Sequence, residues 1–311
     1  MRAAVATMRH FFGFIAFTAW LTSACGSDTS APGPRGAGKG GSSGTSGASG
    51  GSSASGGSGA SDASGGSGGS DVIGGCEVSA LPDAVRSAHG MDRFYQKYAD
   101  ANGIPIATSS AVSDKAITLA CQLVKEMLSR RDDVRQKLIN SKMRFTLIAA
   151  SEELSSIPEV NARYGSAYNQ RARGLGSLIP TICAEENILC QRDRDRWRGE
   201  NICVHEYSHT FVDWGLATVD PGFRSRVDAA YRAAQASGNF ANTYAASELG
   251  EFWAEGVQDW YNSNLQAIPT NGIHNSINTR AELKTASPQL YDILARVLPE
   301  KIQFEDCYAV E

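Results

Sequence analysis

A segment rich in glycine and serine determines which part of this 311-residue chain can fold. Residues 31–75 hold 18 of the chain's 32 glycines, mixed mainly with serine and alanine. Such a composition buries too little apolar surface to offset the entropy lost on ordering, so we expect a flexible tether with a mean reach of about 35 to 40 Å. Residues 76–311 are long enough for one substantial core, and we expect them to form the single folded domain.

The chain before the tether has the features of an export signal. Two arginines precede an apolar run from Phe11 to Leu21, which is shorter than the helix needed to cross a bilayer of about 30 Å. Residues 1–24 are therefore expected to be a signal peptide. The signal ends in LTSAC, which resembles the lipobox of bacterial lipoproteins, and this resemblance implies that Cys25 carries lipid.

Lipid at Cys25 would attach the protein to a membrane surface, with residues 25–75 as the tether. Gly26 stands where an aspartate would signal retention at the inner membrane, so the resemblance favours the outer membrane. Plain secretion and a signal retained as an anchor stay open as alternatives. Removing the four basic and three acidic residues of the first 75 leaves 25 basic and 30 acidic residues, a net charge of −5 without a basic stripe. Nucleic acid is therefore not an expected partner.

An even number of cysteines in an exported domain predicts disulfides. Cys183 and Cys190 are close enough in sequence to close a local loop, while the other pairings stay open. Cys203 stands two residues before His205, so on a helix its side chain should point to a different face. The chain has no CxxC pair, so a structural zinc site made of cysteines is not expected. The six cysteines after Cys25 are Cys76, Cys121, Cys183, Cys190, Cys203 and Cys307.

The apolar pattern of the domain predicts an α+β fold. Residues 115–128 carry the apolar stripe of an amphipathic helix, and MRFTLIA at 143–149 is typical of a buried strand. Residues 151–201 contain the charged runs RARGLG and QRDRDRWRGE and are expected to be solvated loops and short turns. From Asn201 onward helices dominate, and they are predicted at 202–214, 222–236, 248–262 and 288–298.

The stretch VHEYSHTFVDWG, residues 204–215, predicts a metal site on one of these helices. His205 and His209 are four residues apart and share a helix face, with Glu206 beside them. The flanking residues are apolar, and a histidine pair buried in such a helix needs a partner such as a metal ion. Zinc also needs a third protein ligand. Val212 stands where the HExxHxxGxxH pattern requires glycine, and position 215 is not histidine, so the third ligand must come from elsewhere.

The helix predicted at ELGEFWAEGVQDW, residues 248–260, offers carboxylates for this purpose. Glu251 and Glu255 are four residues apart and share one face. One of the two can bind zinc while the other accepts the spare ring proton of a ligating histidine. Glu248 is a second candidate for the third ligand. A single acidic helix face is ordinarily only solvated, but its combination with HExxH in a buried helix favours a metal site.

The two stretches together resemble the gluzincins, the thermolysin-like clan of zinc metallopeptidases, and within that clan the lethal-factor type of catalytic domain. EFWAE begins 42 residues after His209, and Tyr244 stands seven residues before Glu251, as a tyrosine does in that type. The resemblance spans residues 204–262, does not extend to 76–200, and implies no particular substrate. It implies a zincin-like domain with a small sheet, an HExxH helix and a helical C-terminal half.

The same resemblance implies the roles of the site residues. His205, His209 and Glu251 would bind Zn²⁺, and Glu206 would act as the general base. Tyr244 would donate a hydrogen bond to the oxyanion or to the attacking water. Glu255 would orient His205. In this clan an extended substrate pairs with the sheet edge beside the active-site helix, and residues 143–149 are a candidate part of that sheet.

These patterns predict an exported zinc metallohydrolase, most simply a monomeric peptidase that acts on a peptide or protein substrate. The alternative is a surface-anchored binding protein with a zincin-like fold that keeps zinc for structure or as a vestige. An inactive relative would usually have lost its general base, and Glu206 is present. The sequence therefore favours the enzyme.

Overall fold

The computed structural model describes residues 75–303 and residue 308. The predictions for the signal peptide, for lipid at Cys25, for the tether and for Cys307 lie outside these residues. Among the described residues, no helix is both long enough and apolar enough to cross a membrane.

The domain is α+β, as predicted, with a sheet in its first half and mainly helices in its second. The strands are β1 Ser79–Ala80, β2 Lys97–Ala101, β3 Ile104–Thr108, β4 Phe145–Ile148 and β5 Thr181–Ala184. The first helices are α1 Asp83–His89, α2 Asp114–Met127, α3 Asp132–Asn140, α4 Pro158–Tyr164 and α5 Glu185–Ile188. The later helices are α6 Ile202–Thr210, α7 Ala217–Val219, α8 Phe223–Ser237, α9 Leu249–Trp260, α10 Arg280–Ala286 and α11 Pro288–Val297.

The five strands form one mixed sheet in the order β1-β2-β3-β4-β5. The first three strands pair in antiparallel fashion, while β4 runs parallel to both β3 and β5. The strand predicted at 143–149 is therefore an interior strand. The edge beside α6 belongs to β5, which packs against that helix.

Both faces of the central sheet are covered, because every residue of β3, β4 and β5 is buried. Alternate residues of a strand point to opposite faces. Phe145 and Leu147 therefore join the main core with α2, α6 and α9, whereas Ile148 packs into a smaller cluster with Leu154 and Val160 on the other side. The main core is what holds the helices of the second half against the sheet.

The prediction of solvated loops over 151–201 is wrong in part. This region contains α4, β5 and α5, together with a 3₁₀ turn at Leu154–Ser156. Arg173, from the run RARGLG, is only 5% exposed and donates to both carboxylate oxygens of Glu186, at 2.6 and 2.9 Å. The charge is buried because a bidentate carboxylate partner lies beside it, and that partner cannot be identified from spacing alone.

Two disulfides join described residues. Cys76 is bonded to Cys121, and Cys183 of β5 is bonded to Cys203 of α6. The local pairing of Cys183 with Cys190 is therefore wrong, although Cys190 is also disulfide-bonded. The Cys183–Cys203 bond fixes the first turn of α6 to the edge strand. These bonds indicate an extracytoplasmic environment, where disulfides persist.

Candidate metal centre

The candidate site lies where α6 and α9 pack against each other. Asn201 caps α6, since its side-chain oxygen accepts a hydrogen bond from the backbone N–H of Val204 at 3.0 Å. Trp253 of α9 donates from Nε1 to the backbone carbonyl of Ser208 at 3.0 Å. Beyond Thr210 the helix continues as a π-helical turn, Phe211–Leu216, into α7. The two helices therefore meet in a fixed arrangement over the HExxH stretch.

The ligand atoms of His205, His209 and Glu251 form a compact triangle. His205 Nε2 lies 3.0 Å from Glu251 Oε2 and 3.3 Å from His209 Nε2. The third side, from His209 Nε2 to Glu251 Oε2, is 3.4 Å. All three side chains are buried. The fold thus brings together the two histidines of α6 and one carboxylate of α9 in a group that can hold a metal ion.

The triangle is small enough for one tetrahedral metal ion to touch all three ligand atoms, and zinc provides the reference distances. Zinc–ligand distances of about 2.0 to 2.2 Å in a tetrahedron place neighbouring ligand atoms about 3.3 to 3.6 Å apart. The observed sides of 3.0, 3.3 and 3.4 Å need only small adjustments to reach this range. A tetrahedral ion held by three protein ligands would keep a fourth coordination position open.

Gln258, which no sequence pattern singled out, sets the tautomer of His205. Its Oε1 accepts a hydrogen bond from His205 Nδ1 at 2.9 Å, while its Nε2 donates to the backbone carbonyl of Asn201 at 3.1 Å. Because the amide nitrogen is engaged elsewhere, the amide oxygen faces the ring and Nδ1 carries the proton. The neutral His205 ring therefore presents the lone pair of Nε2 to the triangle.

When the histidine rings are neutral, hydrogen bonds alone leave this triangle unsatisfied. A neutral His205 offers only a lone pair at Nε2, and an ionised Glu251 carboxylate only accepts hydrogen bonds. These two acceptors lie 3.0 Å apart, and the single proton that His209 Nε2 can supply does not satisfy both. A cation at the centre of the triangle would turn all three atoms into ligands.

The electrostatics of the site also favour a positive charge. Burial lowers the pKa of His205 and His209, but the hydrogen bonding and negative charge of Glu251 outweigh this effect and raise both pKa values. Burial raises the pKa of Glu251, yet the two histidines hold it well below its usual range. The charges of Glu206 and Glu255 act on His205 in the same direction as that of Glu251. The negative charge of these carboxylates can be compensated either by protons on the two histidines or by a metal ion.

Glu206 lies beside the triangle, under a glycine-containing segment that precedes β5. Burial raises its pKa, although the neighbouring histidines and a hydrogen bond from the backbone N–H of Gly176 oppose this rise. A Cβ at Gly174 would lie 2.6 Å from Glu206 Cγ, and one at Gly176 would lie 2.7 Å from His209 Cβ. Only glycine allows the backbone to approach the site this closely.

The segment over Glu206 is held at several points. Leu175 and Ile182 of β5 exchange two backbone hydrogen bonds, each of 3.0 Å. Trp214 Nε1 donates to the carbonyl of Ser177 at 3.0 Å, and the Ser177 hydroxyl donates to Asp213. Arg173 is buried at the other end of the segment. The single bridge between Leu175 and Ile182 holds the segment against β5, where it forms one wall of the site.

Tyr244 reaches the site from the chain before α9. Its ring stacks on that of His205, with the planes inclined by 19° and the centroids 6.3 Å apart. Burial raises the pKa of the Tyr244 hydroxyl, and the charges of Glu251 and Glu206 raise it further. The hydroxyl therefore keeps its proton and can donate a hydrogen bond at the edge of the triangle.

The hydrogen bond that the resemblance implied between His205 and Glu255 is not formed. Glu255 Oε1 lies 3.6 Å from His205 Nδ1, whereas Gln258, three residues further along the same face of α9, accepts from that nitrogen. The other Glu255 oxygen accepts from Asn264 at 3.0 Å. Glu248 directly precedes α9 without a side-chain capping hydrogen bond, is only half-buried, and lies outside the triangle.

Comparison with known proteins identifies no relative of this chain. No family model, curated protein or solved structure matches this chain. The interpretation of the site therefore rests on its geometry, which defines an α+β domain with a buried His–His–Glu group able to hold a metal ion.

Proposed function

We propose that the domain is a zinc-dependent metallohydrolase and that its substrates are peptides or proteins. The observation that carries this proposal is the convergence of two buried imidazole nitrogens and one buried carboxylate oxygen within 3.4 Å of one another. The residues around that point, Glu206 and Tyr244, are a base and a donor of the kind that hydrolysis requires. The resemblance of residues 204–262 to gluzincins favours peptide bonds over other acyl groups.

Different residues of the chain have different roles in the proposed hydrolysis. When bound, zinc lowers the pKa of a coordinated water to about 7 and polarises a carbonyl group. Glu206 takes one proton from the attacking water and passes it to the nitrogen of the leaving amine. Tyr244 donates its hydroxyl hydrogen to the carbonyl oxygen as negative charge develops there. Gln258 holds His205 in the tautomer that leaves Nε2 free to bind.

Incubation of the purified full-length chain with a mixed peptide library tests the proposal. Cleavage products are identified by mass spectrometry before and after treatment with a chelator, and again after zinc is restored. We expect cleavage that the chelator abolishes and zinc recovers. Cleavage that survives complete removal of the metal would contradict the proposal.

Replacing Tyr244 by phenylalanine should lower kcat/KM by about 10²-fold, because one oxyanion donor is lost. The zinc content should not change, since Tyr244 is not one of the three ligands. The matched control is Tyr231→Phe, which removes a hydroxyl that donates to the carbonyl of Ala246 at 2.8 Å. Equal activity in Tyr244→Phe and the wild type would remove Tyr244 from the mechanism.

Replacing Gly174 by alanine should displace Glu206 while leaving the metal ligands in place. The new methyl group would lie 2.6 Å from Glu206 Cγ and 2.8 Å from Ile202 Cγ2, and the anchored segment cannot retreat. A misplaced catalytic group can cost about 10²-fold in rate. Gly250→Ala is the control, because its Cβ would meet His209 Cε1 at an ordinary 3.6 Å. A Gly174→Ala variant with full activity would show that Glu206 does not depend on this segment.

We also propose that the domain works outside the cytoplasm as a monomer, attached to the cell envelope through lipid on Cys25. The disulfides of the domain and the lipobox-like LTSAC support this location. The attachment is tested by detergent partitioning and by the mass of the N-terminal peptide. Recovery of the wild type entirely in the soluble fraction, without added mass at Cys25, would overturn it.

A further inference from the structure

A second group of buried ligand-type side chains lies next to the first. Glu200, Glu255 and His274 each offer one ligand atom, and these atoms all lie within 4.8 Å of one another. The three residues are only 6%, 5% and 5% exposed. Glu200 directly precedes the N-cap of α6, Glu255 lies on α9, and His274 belongs to the connection between α9 and α10. Three separate segments therefore meet at this point.

The negative charges of this group are not balanced by protein cations. Glu200 forms an ion pair with His274 at 3.3 Å, and Glu255 forms one with His205 at 3.6 Å. His205 lies closer to Glu251, at 3.0 Å, so any positive charge on its ring is shared with that residue. Within residues 75–303, neither Glu200 nor Glu255 forms an ion pair with lysine or arginine. If both carboxyl groups are ionised, even a protonated His274 leaves one buried carboxylate uncompensated, which is unfavourable.

The ring of His274 is also incompletely paired. Its Nε2 lies 3.3 Å from Glu200 Oε2, while its Nδ1 is buried and has no hydrogen-bond partner in the described part of the chain. A protonated ring buries an N–H group without an acceptor. A neutral ring leaves both carboxylates without a counter-charge. Buried polar groups are normally paired, so both states are costly.

We propose that Glu200, Glu255 and His274 bind a second divalent transition-metal ion, separate from the ion of the His205–His209–Glu251 triangle. Such an ion would supply the two missing positive charges and would use a ring nitrogen of a neutral His274. Two carboxylates with one imidazole form a mixed oxygen and nitrogen set that suits zinc or manganese, whereas calcium takes six to eight oxygens. Asn264 Nδ2 donates to Glu255 Oε2 at 3.0 Å and so orients that carboxylate, as expected around a metal ligand.

The second ion would have a structural role. It joins the start of α6 to α9 and to the connection that carries His274. In that connection the carbonyl of Ile273 accepts a hydrogen bond from the backbone N–H of Tyr244 at 2.8 Å. Binding at the second site would therefore also fix the segment that holds Tyr244 beside His205.

Metal titration of the full-length chain tests the second site independently of any activity. The protein is freed of metal with a chelator, titrated with Zn²⁺ alone and desalted, and its zinc content is measured. We expect two equivalents in the wild type, one in His274→Ala and one in Glu251→Ala. Glu200→Gln is a near-isosteric second variant that should also bind one equivalent. The matched control is His89→Ala, which lies outside both groups and should keep two.

Each outcome distinguishes this site from the proposed catalytic centre. One equivalent in the wild type that is kept in His274→Ala and lost in Glu251→Ala overturns the second site and leaves the first intact. One equivalent that is lost in His274→Ala and kept in Glu251→Ala supports the second site while the proposed function fails. Two equivalents in both His274→Ala and Glu200→Gln also overturn the second site. Circular dichroism establishes that each variant is folded.

Discussion

Replacing Glu206 by glutamine is expected to remove nearly all hydrolytic activity while the metal stays bound. Glutamine keeps the size of the side chain but cannot take a proton from water. Loss of a general base costs about 10² to 10⁴ in rate. Because Glu206 is not one of the three atoms of the triangle, zinc content and thermal unfolding should match those of the wild type. The readouts are kcat/KM on a peptide found in the library and zinc content by metal analysis.

Glu248→Gln is the matched control for this variant. It makes the same chemical change on a half-buried glutamate at the start of α9, close enough to His209 for the histidine charge to act on its pKa. We expect this control to keep its activity. If Glu206→Gln and the wild type cleave every peptide equally well, the activity belongs to another site or to a contaminant. If neither cleaves any peptide, the alternative of a binding protein with a zincin-like fold is favoured.

Replacing Glu251 by alanine is expected to remove the metal of the triangle and all detectable hydrolysis. The variant loses one of three protein ligands, and it also loses the carboxylate whose negative charge favours a cation between the two histidines. Changes in residues that only support ligands already lower metal affinity by about 10- to 100-fold, so the loss of a ligand should exceed that range. Zinc bound per chain should fall by one equivalent.

Glu248→Ala serves as the control for the identity of the third ligand. Both variants remove a carboxylate from the first turns of α9, but only Glu251 contributes to the triangle. Loss of one equivalent in Glu248→Ala, with full occupancy in Glu251→Ala, would assign the third ligand to Glu248. Loss in neither variant would show that the triangle is not a metal site.

The two helices that form the site could be predicted because each has a strong local pattern. His205 and His209 share a face of α6 through a spacing of four, and the same spacing places Glu251 and Glu255 on one face of α9. Spacing does not say which residue of α9 lies opposite which ring. That depends on how the two helices cross, and the crossing places Glu251 in the triangle and Gln258 at His205 Nδ1.

The parts that the sequence did not predict depend on contacts between distant segments. β5 has only four residues and no alternation of polar and apolar positions, so its presence at the sheet edge depends on β4 and α6. The partner of Cys183 follows from the same neighbour relation, because β5 lies beside the start of α6. Arg173 looks like a surface charge until Glu186 is placed next to it. The need for glycine at positions 174 and 176 becomes evident only when Glu206 is placed beneath them.

Anomalous diffraction at the zinc absorption edge, from crystals of the zinc-loaded protein, tests the central claim most directly. We expect a peak inside the triangle, about 2.0 to 2.2 Å from His205 Nε2, His209 Nε2 and a carboxylate oxygen of Glu251. His205 Nδ1 should still donate to Gln258 in that structure. Crystals that contain zinc by chemical analysis but show no peak between these three atoms would contradict a metal site in the triangle.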